Sequence, residues 1–195
     1  EATFDGEWLQ QAVALGNQMV ELFWDTPSGQ FYDTGTDHEQ LVLRPRDVQD
    51  NATPSGSSMA ATVLLKLALV TGDGDLDRRA VESLRAVREL MERYPTGAGQ
   101  WLCALDFYVS SPKEIAIVGE PGSSDTSGLL REVFRSYIPN RILVGRGPTD
   151  DTIVGLPLME GRSMLGGKAT AYVCRNYTCE LPVNAPEALA EQLSR

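Results

Sequence analysis

Residues 44–61 read Arg-Pro-Arg-Asp-Val-Gln-Asp-Asn-Ala-Thr-Pro-Ser-Gly-Ser-Ser-Met-Ala-Ala. This is a charged loop with two carboxylates, Asp47 and Asp50, followed by residues that favour the start of a helix: Asn51, Thr53, Pro54 and Ser55. The chain is then almost wholly apolar over 59–70, where Lys66 is the only charge. A helix that is apolar on all sides is buried. The sequence therefore predicts an acidic loop at the mouth of a buried helix.

Three further helices are predicted in the first 110 residues. Residues 5–23 and 76–94 have apolar side chains at helical spacing and one polar face, whereas 101–109 is apolar apart from Asp106. The order is amphipathic, buried, amphipathic, buried, which is natural when helical hairpins stack with their buried members inside. Four such helices form an arc of a ring. Because the flanks of an arc are apolar and need a partner, a homo-oligomer is expected.

The pattern changes after residue 110. Three short apolar runs have the character of strands and two stretches have the character of helices: 115–118, 142–145 and 169–174, and 127–137 and 186–193. Strands that alternate with helices pair in parallel through right-handed crossovers. The predicted fold class is mainly α with a small α/β part, with helical hairpins in residues 1–110 and a small three-stranded parallel α/β unit in residues 111–195.

The composition limits the kinds of partner. The chain has 195 residues, 42% of them hydrophobic, and a net charge of −10, which argues against nucleic acid and anionic membranes as partners. No apolar run reaches the roughly 18–20 residues that span a bilayer. The chain begins Glu1-Ala2 without methionine, which indicates an excised fragment or a processed product. Three cysteines at irregular spacing do not make a disulfide framework, so a cytoplasmic location is expected.

The cysteines are also weak candidates for chemistry. The five-residue offset between Cys174 and Cys179 places the two sulfurs on opposite faces of a straight strand. His38 is the only histidine, so neither a zinc site nor a Cys–His nucleophile is well supported. The sequence predicts buried free thiols, no metal and no cofactor.

Carboxylates are the better candidates for a site. Asp47 and Asp50 lie three positions apart, and paired carboxylates at a groove can divide acid and base work on glycosidic bonds. However, Arg44 and Arg46 are their neighbours, so a structural ion-pair network explains the same residues. Aromatic residues around Trp24 allow two interpretations in the same way, because flat rings stack on sugars but also fill a core. Both pairs of alternatives remain open from the residues alone.

Three segments together resemble one family. They are Arg-Pro-Arg-Asp-Val-Gln-Asp-Asn-Ala-Thr-Pro-Ser-Gly-Ser-Ser at 44–58, Leu-Ala-Leu-Val-Thr-Gly-Asp at 67–73 and Tyr-Val-Cys-Arg-Asn-Tyr-Thr-Cys-Glu-Leu-Pro-Val at 172–183. The chain is similar to thioredoxin-domain proteins related to spermatogenesis-associated protein 20. The resemblance implies an N-terminal thioredoxin-like domain followed by an (α/α)6 toroid of the six-hairpin glycosidase class, akin to N-acylglucosamine 2-epimerases. This chain would then be the last hairpins of the toroid and a C-terminal α/β piece.

Two functions follow as hypotheses. In the first, a groove at the N-termini of the inner helices binds or processes a carbohydrate, with Asp47 and Asp50 as catalytic candidates and five residues as candidates for sugar binding: Arg44, Trp24, Trp101, Asn51 and Ser55. An enzyme of this kind would be an isomerase or a glycosidase. Epimerase chemistry usually uses a pair of histidine bases, and this chain has only His38, so binding without turnover is equally supported. In the second, the chain is a non-catalytic scaffold that docks the thioredoxin-like domain, and its partner is the N-terminal remainder of its own full-length chain.

Overall fold

The computed structural model describes residues 4–39, 42–150, 153, 155–176 and 178–195. The chain divides into two compact units: Gln10–Val109 form one, and Ser110–Arg195 group with the first residues up to Leu9 in the other. About 49% of the described residues are helical, which agrees with a mainly α protein that has a small α/β part. None of the helices in the described residues is both long enough and apolar enough to cross a membrane.

The first unit is helical. It contains most of the first helix, a two-stranded antiparallel hairpin and four further helices: α1 (Gly6–Phe23), β1 (Trp24–Asp25), β2 (Gln30–Phe31), α2 (Gly56–Thr71), α3 (Gly74–Ala86), α4 (Arg88–Arg93) and α5 (Gly99–Val109). A 3₁₀ turn, Pro95–Gly97, precedes α5. The predicted helix over 76–94 is therefore two helices, α3 and α4, and they meet at Val87.

The buried helix predicted after the acidic loop is α2. Ser55 caps its N-terminus by accepting a hydrogen bond from the Ser58 N–H at 3.2 Å. Gly72 ends it in the left-handed conformation with a φ of 74°, which glycine adopts without steric cost. Nine of its sixteen residues are buried, although Met59 near the start is 41% exposed. The burial of this helix is thus confirmed over most of its length.

The second apolar helix, α5, is buried along one side only. Trp101, Ala104 and Phe107 follow helical spacing and are buried, whereas Tyr108 is 45% and Val109 is 65% exposed. The sequence predicted an interior helix here. The outer side is exposed because no other element among the described residues of this unit covers it.

The second unit is a sheet with helices packed on one face. Its elements are β3 (Lys113–Val118), α6 (Ser124–Arg135), β4 (Arg141–Arg146), β5 (Thr170–Arg175), β6 (Thr178–Cys179) and α7 (Pro186–Ser194). The strand order is β4-β3-β5-β6. The core joins alternate residues of the sheet to the inner faces of α6 and α7: Ile115, Ile117, Leu143, Ala171 and Val173 with Leu129, Val133, Leu189 and Leu193.

The sheet is mixed, so the prediction of three parallel strands was wrong. Strands β3 and β4 are parallel and are joined through α6, as expected. Strand β5, however, pairs antiparallel with β3, and β6 pairs antiparallel with β5. The reason lies in residues 147–169, where the described part has one 3₁₀ turn, Pro157–Met159, instead of a crossover helix. Without a crossover the chain re-enters the sheet at the end where β4 finishes, so β5 runs antiparallel to β3 and β4.

The start of α6 is fastened to the start of β5. Ser123 caps the helix, and Asp125 Oδ2 accepts a hydrogen bond from the Ala169 N–H at 2.8 Å. That bond and the hydroxyl of Ser123 hold the pKa of Asp125 at about 2, below its usual 3.8. Gly119 lies between the two elements, where a Cβ would meet the Thr126 hydroxyl and would lie 2.7 Å from the Ala169 Cβ. The backbone approach here therefore requires glycine.

Cys174 and Cys179 form a disulfide, so the prediction of free thiols was wrong for this pair. Asn176 adopts left-handed backbone with a φ of 48°, and the chain folds back into the β5–β6 hairpin. The two cysteines are then directly opposite each other, with their Cα atoms 3.9 Å apart. The geometry of a straight strand does not apply to these cysteines because the chain turns between them. Cys103 is free and exposed. The cytoplasmic location stays a prediction, and the cysteines no longer support it.

Candidate functional site

Asp50 lies at the junction of the acidic loop with α2 and α5. Its Oδ1 accepts hydrogen bonds from the Ser55 N–H at 2.8 Å and the Ser58 hydroxyl at 2.6 Å. Its Oδ2 accepts from the N–H groups of Gln100 and Trp101 at 2.8 and 3.3 Å. One carboxylate therefore satisfies N–H groups at the N-termini of two helices, where the helix dipoles also favour negative charge.

The environment keeps this carboxylate ionised. Burial raises the pKa of Asp50, which is only 7% exposed, but the hydrogen bonds from Ser58, Ser55, Gln100 and Trp101 outweigh it and lower the pKa below the usual 3.8. Four accepted bonds occupy the ordinary acceptor capacity of a carboxylate. The Asp50 carboxylate is thus a buried hydrogen-bond acceptor that links the N-termini of α2 and α5.

Asp47 has a different position from Asp50. It is exposed, and its Oδ1 accepts a hydrogen bond from the Gln49 N–H at 3.0 Å. The Asp47 N–H donates to Asp33 Oδ2 at 2.8 Å, so the exposed carboxylate of Asp33 is beside it. The structure thus separates the two predicted catalytic residues by burial, and it brings Asp33 to Asp47.

The arginines of the loop hold an aromatic ring between them. The guanidinium carbons of Arg44 and Arg46 each lie 3.9 Å from the centre of the Tyr32 ring, a cation–π arrangement. Arg44 Nη2 also donates to the carbonyl oxygens of Leu22, at 3.3 Å, and Thr34. Arg46 forms an ion pair with Asp25, whose carboxylate accepts a further bond from a serine hydroxyl. These contacts form a structural network, with Asp25 as its carboxylate.

The two tryptophans predicted to bind sugar, Trp24 and Trp101, are buried in the unit to different degrees. Trp101 is 1% exposed, and its Nε1–H donates to the Val48 carbonyl oxygen at 2.7 Å. It has no ring face open to a ligand. Trp24 is half-buried and lies edge-to-face with Phe31, with 5.0 Å between ring centres. Arg79 lies over the Trp24 ring at 5.5 Å.

The remaining two candidates, Asn51 and Ser55, make hydrogen bonds to the nearby backbone. Asn51 is exposed, and its N–H donates to the Thr53 carbonyl oxygen at 3.0 Å within the loop. Ser55 is buried and caps α2. Within the described residues, no group of three or more His, Cys, Asp or Glu side chains is placed to hold a metal ion.

An apolar groove lies elsewhere on the helical unit, between α3, α4 and α5. Its volume is about 410 Å³. Six apolar or aromatic side chains and three charged ones line it: Val81, Leu84, Met91, Leu102, Leu105 and Tyr108, with Arg85, Arg88 and Glu92. We call it the α3–α5 groove. The groove could not be predicted from the sequence. Leu84 and Met91 have the spacing of core residues, and no local pattern indicates which of these side chains line an open groove.

Comparisons with known proteins identify relatives of this chain. No family model matches it. It is 34% identical over 199 residues to spermatogenesis-associated protein 20 of Rattus norvegicus and 34% identical over 196 residues to the Homo sapiens protein of the same name. The Mus musculus protein is 32% identical over 199 residues. Each alignment covers 99% of this chain and 25% of the relative. The chain is therefore homologous, over nearly all of its length, to about a quarter of spermatogenesis-associated protein 20.

Proposed function

We propose that this chain is a non-catalytic scaffold within a longer protein, and that its α3–α5 groove docks another part of that protein. The observation that carries the proposal is the groove itself, which is apolar and is left open by the described residues of its unit. An apolar groove of this kind can take the apolar face of another protein segment. The relatives are about four times as long as this chain, so a longer protein has ample chain to supply the docked part.

The polar residues of the acidic loop support a structural role. The Asp50 carboxylate is occupied by four hydrogen bonds, Arg44 is bound to main-chain oxygens and Trp101 is buried. These side chains fasten the N-termini of α2 and α5 and the preceding loop to one another. A catalytic carboxylate would need an acceptor position free for substrate, and Asp50 has none to spare.

The finer architecture is part of the same proposal. We place the chain at the C-terminal end of the longer protein, with α2 as an inner helix and α3 as an outer helix of an (α/α)6 toroid. The burial of α2 and the exposed ion pair of Arg78 with Glu82 on α3 support this arrangement. The docked part would include the thioredoxin-like domain that the family resemblance implies.

The test is a titration of this chain with the separately produced N-terminal remainder of the full-length protein. We expect saturable binding that Leu105→Glu, which places a charge in the groove, weakens by roughly tenfold or more. Val109→Glu is the matched control, because Val109 is on the same helix and 65% exposed but does not line the groove. Equal binding by Leu105→Glu and the wild type would exclude the groove. Self-association of the chain alone, seen by sedimentation and lost in Leu105→Glu, would assign the groove to a second copy instead.

A second candidate function is carbohydrate binding at the acidic loop. The observation in its favour is that the exposed carboxylate of Asp33 accepts a hydrogen bond from the backbone N–H of Asp47, which is also exposed, since exposed carboxylates can accept hydrogen bonds from sugar hydroxyls. Calorimetry against a broad glycan panel tests it. Binding that is lost in Asp47→Asn and kept in the exposed control Asp77→Asn would support this function. Absence of binding across the panel would leave the scaffold as the only candidate.

A further inference from the structure

The disulfide of the second unit has one protected and one accessible sulfur-bearing residue. Cys174 is 2% exposed, whereas Cys179, directly opposite it on β6, is exposed. A thiolate from solution can therefore approach the disulfide at Cys179, and attack there expels the sulfur of Cys174. The difference in exposure therefore predicts that Cys179 is the sulfur attacked and Cys174 the sulfur that leaves.

A guanidinium lies beside the sulfur that would leave. Arg162 Nη2 is 3.0 Å from Cys174 Sγ and 3.5 Å from Cys179 Sγ. Its Nη1 is buried and has no hydrogen-bond partner within the part of the chain that the structure describes. A disulfide sulfur is a weak acceptor, whereas a thiolate is stabilised by a nearby cation. The position of this guanidinium therefore suits the reduced pair better than the oxidised one.

Arg162 is fixed in place by its surroundings. Its main-chain oxygen accepts a hydrogen bond from Arg146 Nη2 at 3.0 Å. The next residue, Ser163, exchanges two hydrogen bonds with the Tyr172 hydroxyl, at 2.7 and 3.2 Å, and the guanidinium carbon lies 5.2 Å from the centre of the Tyr172 ring. Burial lowers the pKa of Arg162, and the buried carboxylate of Glu114 acts in the opposite direction. The guanidinium remains charged because its intrinsic pKa is so high.

We propose that Cys174–Cys179 is a thiol–disulfide exchange site whose substrate is a dithiol reductant, with Arg162 as the residue that stabilises the departing Cys174 thiolate. One thiolate of the dithiol forms a bond with Cys179 Sγ, the Cys174–Cys179 bond breaks, and its electron pair remains on Cys174. The second thiol of the dithiol then loses its proton, closes a disulfide with the first and releases Cys179. The protein disulfide gains two electrons and the dithiol loses two. The two protons of the dithiol pass to solvent, from which Cys179 is protonated while Cys174 remains a thiolate beside Arg162.

The direction of attack is tested on the wild-type chain. Brief exposure of the 195-residue chain to 2-mercaptoethanol, followed by acid quench and alkylation, traps the mixed disulfide. Trypsin cleaves after Arg175 and so separates the two cysteines into different peptides. We expect the mercaptoethanol adduct on the Cys179 peptide. An adduct on the Cys174 peptide, equal amounts on both, or an unreactive disulfide would each overturn the proposal.

The role of Arg162 is tested by the rate of reduction with dithiothreitol. A cation at this distance lowers a thiol pKa by roughly one to three units, so Arg162→Gln should slow reduction roughly tenfold. Arg162→Lys should restore most of the rate because it keeps the charge. Arg175→Gln, which removes an equal charge from an exposed neighbour of Cys174, should leave the rate unchanged. Circular dichroism confirms that each variant is folded. A wild-type rate in Arg162→Gln, or an equal loss in Arg175→Gln, would overturn the assignment.

Discussion

The Asp50 carboxylate accepts the backbone N–H of Gln100 at 2.8 Å, across fifty residues of chain. The same side chain accepts the N–H of Ser55 at the start of α2. Two helices that are distant in sequence therefore begin at one buried anion. Because both helix N-termini present unsatisfied N–H groups, removal of the charge leaves several buried donors without a partner.

Asp50→Asn should lower the free energy of unfolding of the helical unit by about 3 kcal/mol, since hydrogen bonds to charged groups contribute about 1.5–3 kcal/mol each. The amide also turns an N–H₂ group toward either the Ser55 or the Gln100 N–H. Urea denaturation measures the change. Asp47→Asn is the matched control and should remain within about 0.5 kcal/mol of the wild type because Asp47 is exposed. Equal urea midpoints for the two variants would contradict a fastening role for Asp50.

Acid should weaken the second unit through Asp125. Its folded-state pKa of about 2 is below the usual 3.8, so its contribution to stability is fully present above the unfolded pKa and is lost as the pH falls through about 2. In that window the unfolded chain binds more protons than the folded one. Asp125→Asn should therefore show a smaller loss of stability than the wild type between about pH 6 and about pH 3. Urea denaturation at both pH values measures this. An unchanged loss in the variant would show that Asp125 is not the group responsible.

Gly119→Ala should destabilise the second unit by about 2 kcal/mol, because the new methyl group would overlap the Thr126 hydroxyl and would lie 2.7 Å from the Ala169 Cβ. The contact with Ala169 cannot be relieved by a rotamer change. Gly56→Ala is the control, since a Cβ there meets nothing within 4 Å. Thermal unfolding should give a lower midpoint for Gly119→Ala only. A wild-type midpoint for that variant would mean that β3 and β5 tolerate a wider separation.

Tyr32→Ala should loosen the acidic loop. Arg44 and Arg46 would lose the ring on which both are stacked, each contact contributing about 0.5–2 kcal/mol. The measurement is limited proteolysis with trypsin, which can cleave between Arg46 and Asp47, and we expect faster cleavage there. Tyr32→Phe keeps the ring and should be cleaved at the wild-type rate. Faster cleavage of both variants would assign the effect to the hydroxyl group.

Local patterns predicted the elements better than their arrangement. The capping residues before Gly56 and the apolar run after it predicted α2, because each acts within one or two helical turns. The three main strands are close to their predicted positions for the same reason. The direction of β5 depends on where residues 147–169 return the chain to the sheet. No local pattern in this segment indicates the end of the sheet at which β5 begins.

The candidate site shows the same limit. The loop before α2 was predicted, but the burial of Asp50 depends on N–H groups fifty residues away, which no local pattern records. The exposed Asp47 and the buried Asp50 are indistinguishable by residue type and spacing. The disulfide was missed because its formation depends on the backbone of one residue, Asn176, which reverses the chain between the two cysteines.

The ring closed by Cys174 and Cys179 is small, and its size limits what the bond can contribute to folding. A sequence separation of five residues removes little freedom from the unfolded chain, about 2 kcal/mol on the chain-entropy scale, against nearly 5 kcal/mol for a hundred-residue loop. The unit has its own hydrophobic core between the sheet and two helices. Opening the bond therefore frees only the hairpin tip, and the protein can pass between its oxidised and reduced forms while it remains folded.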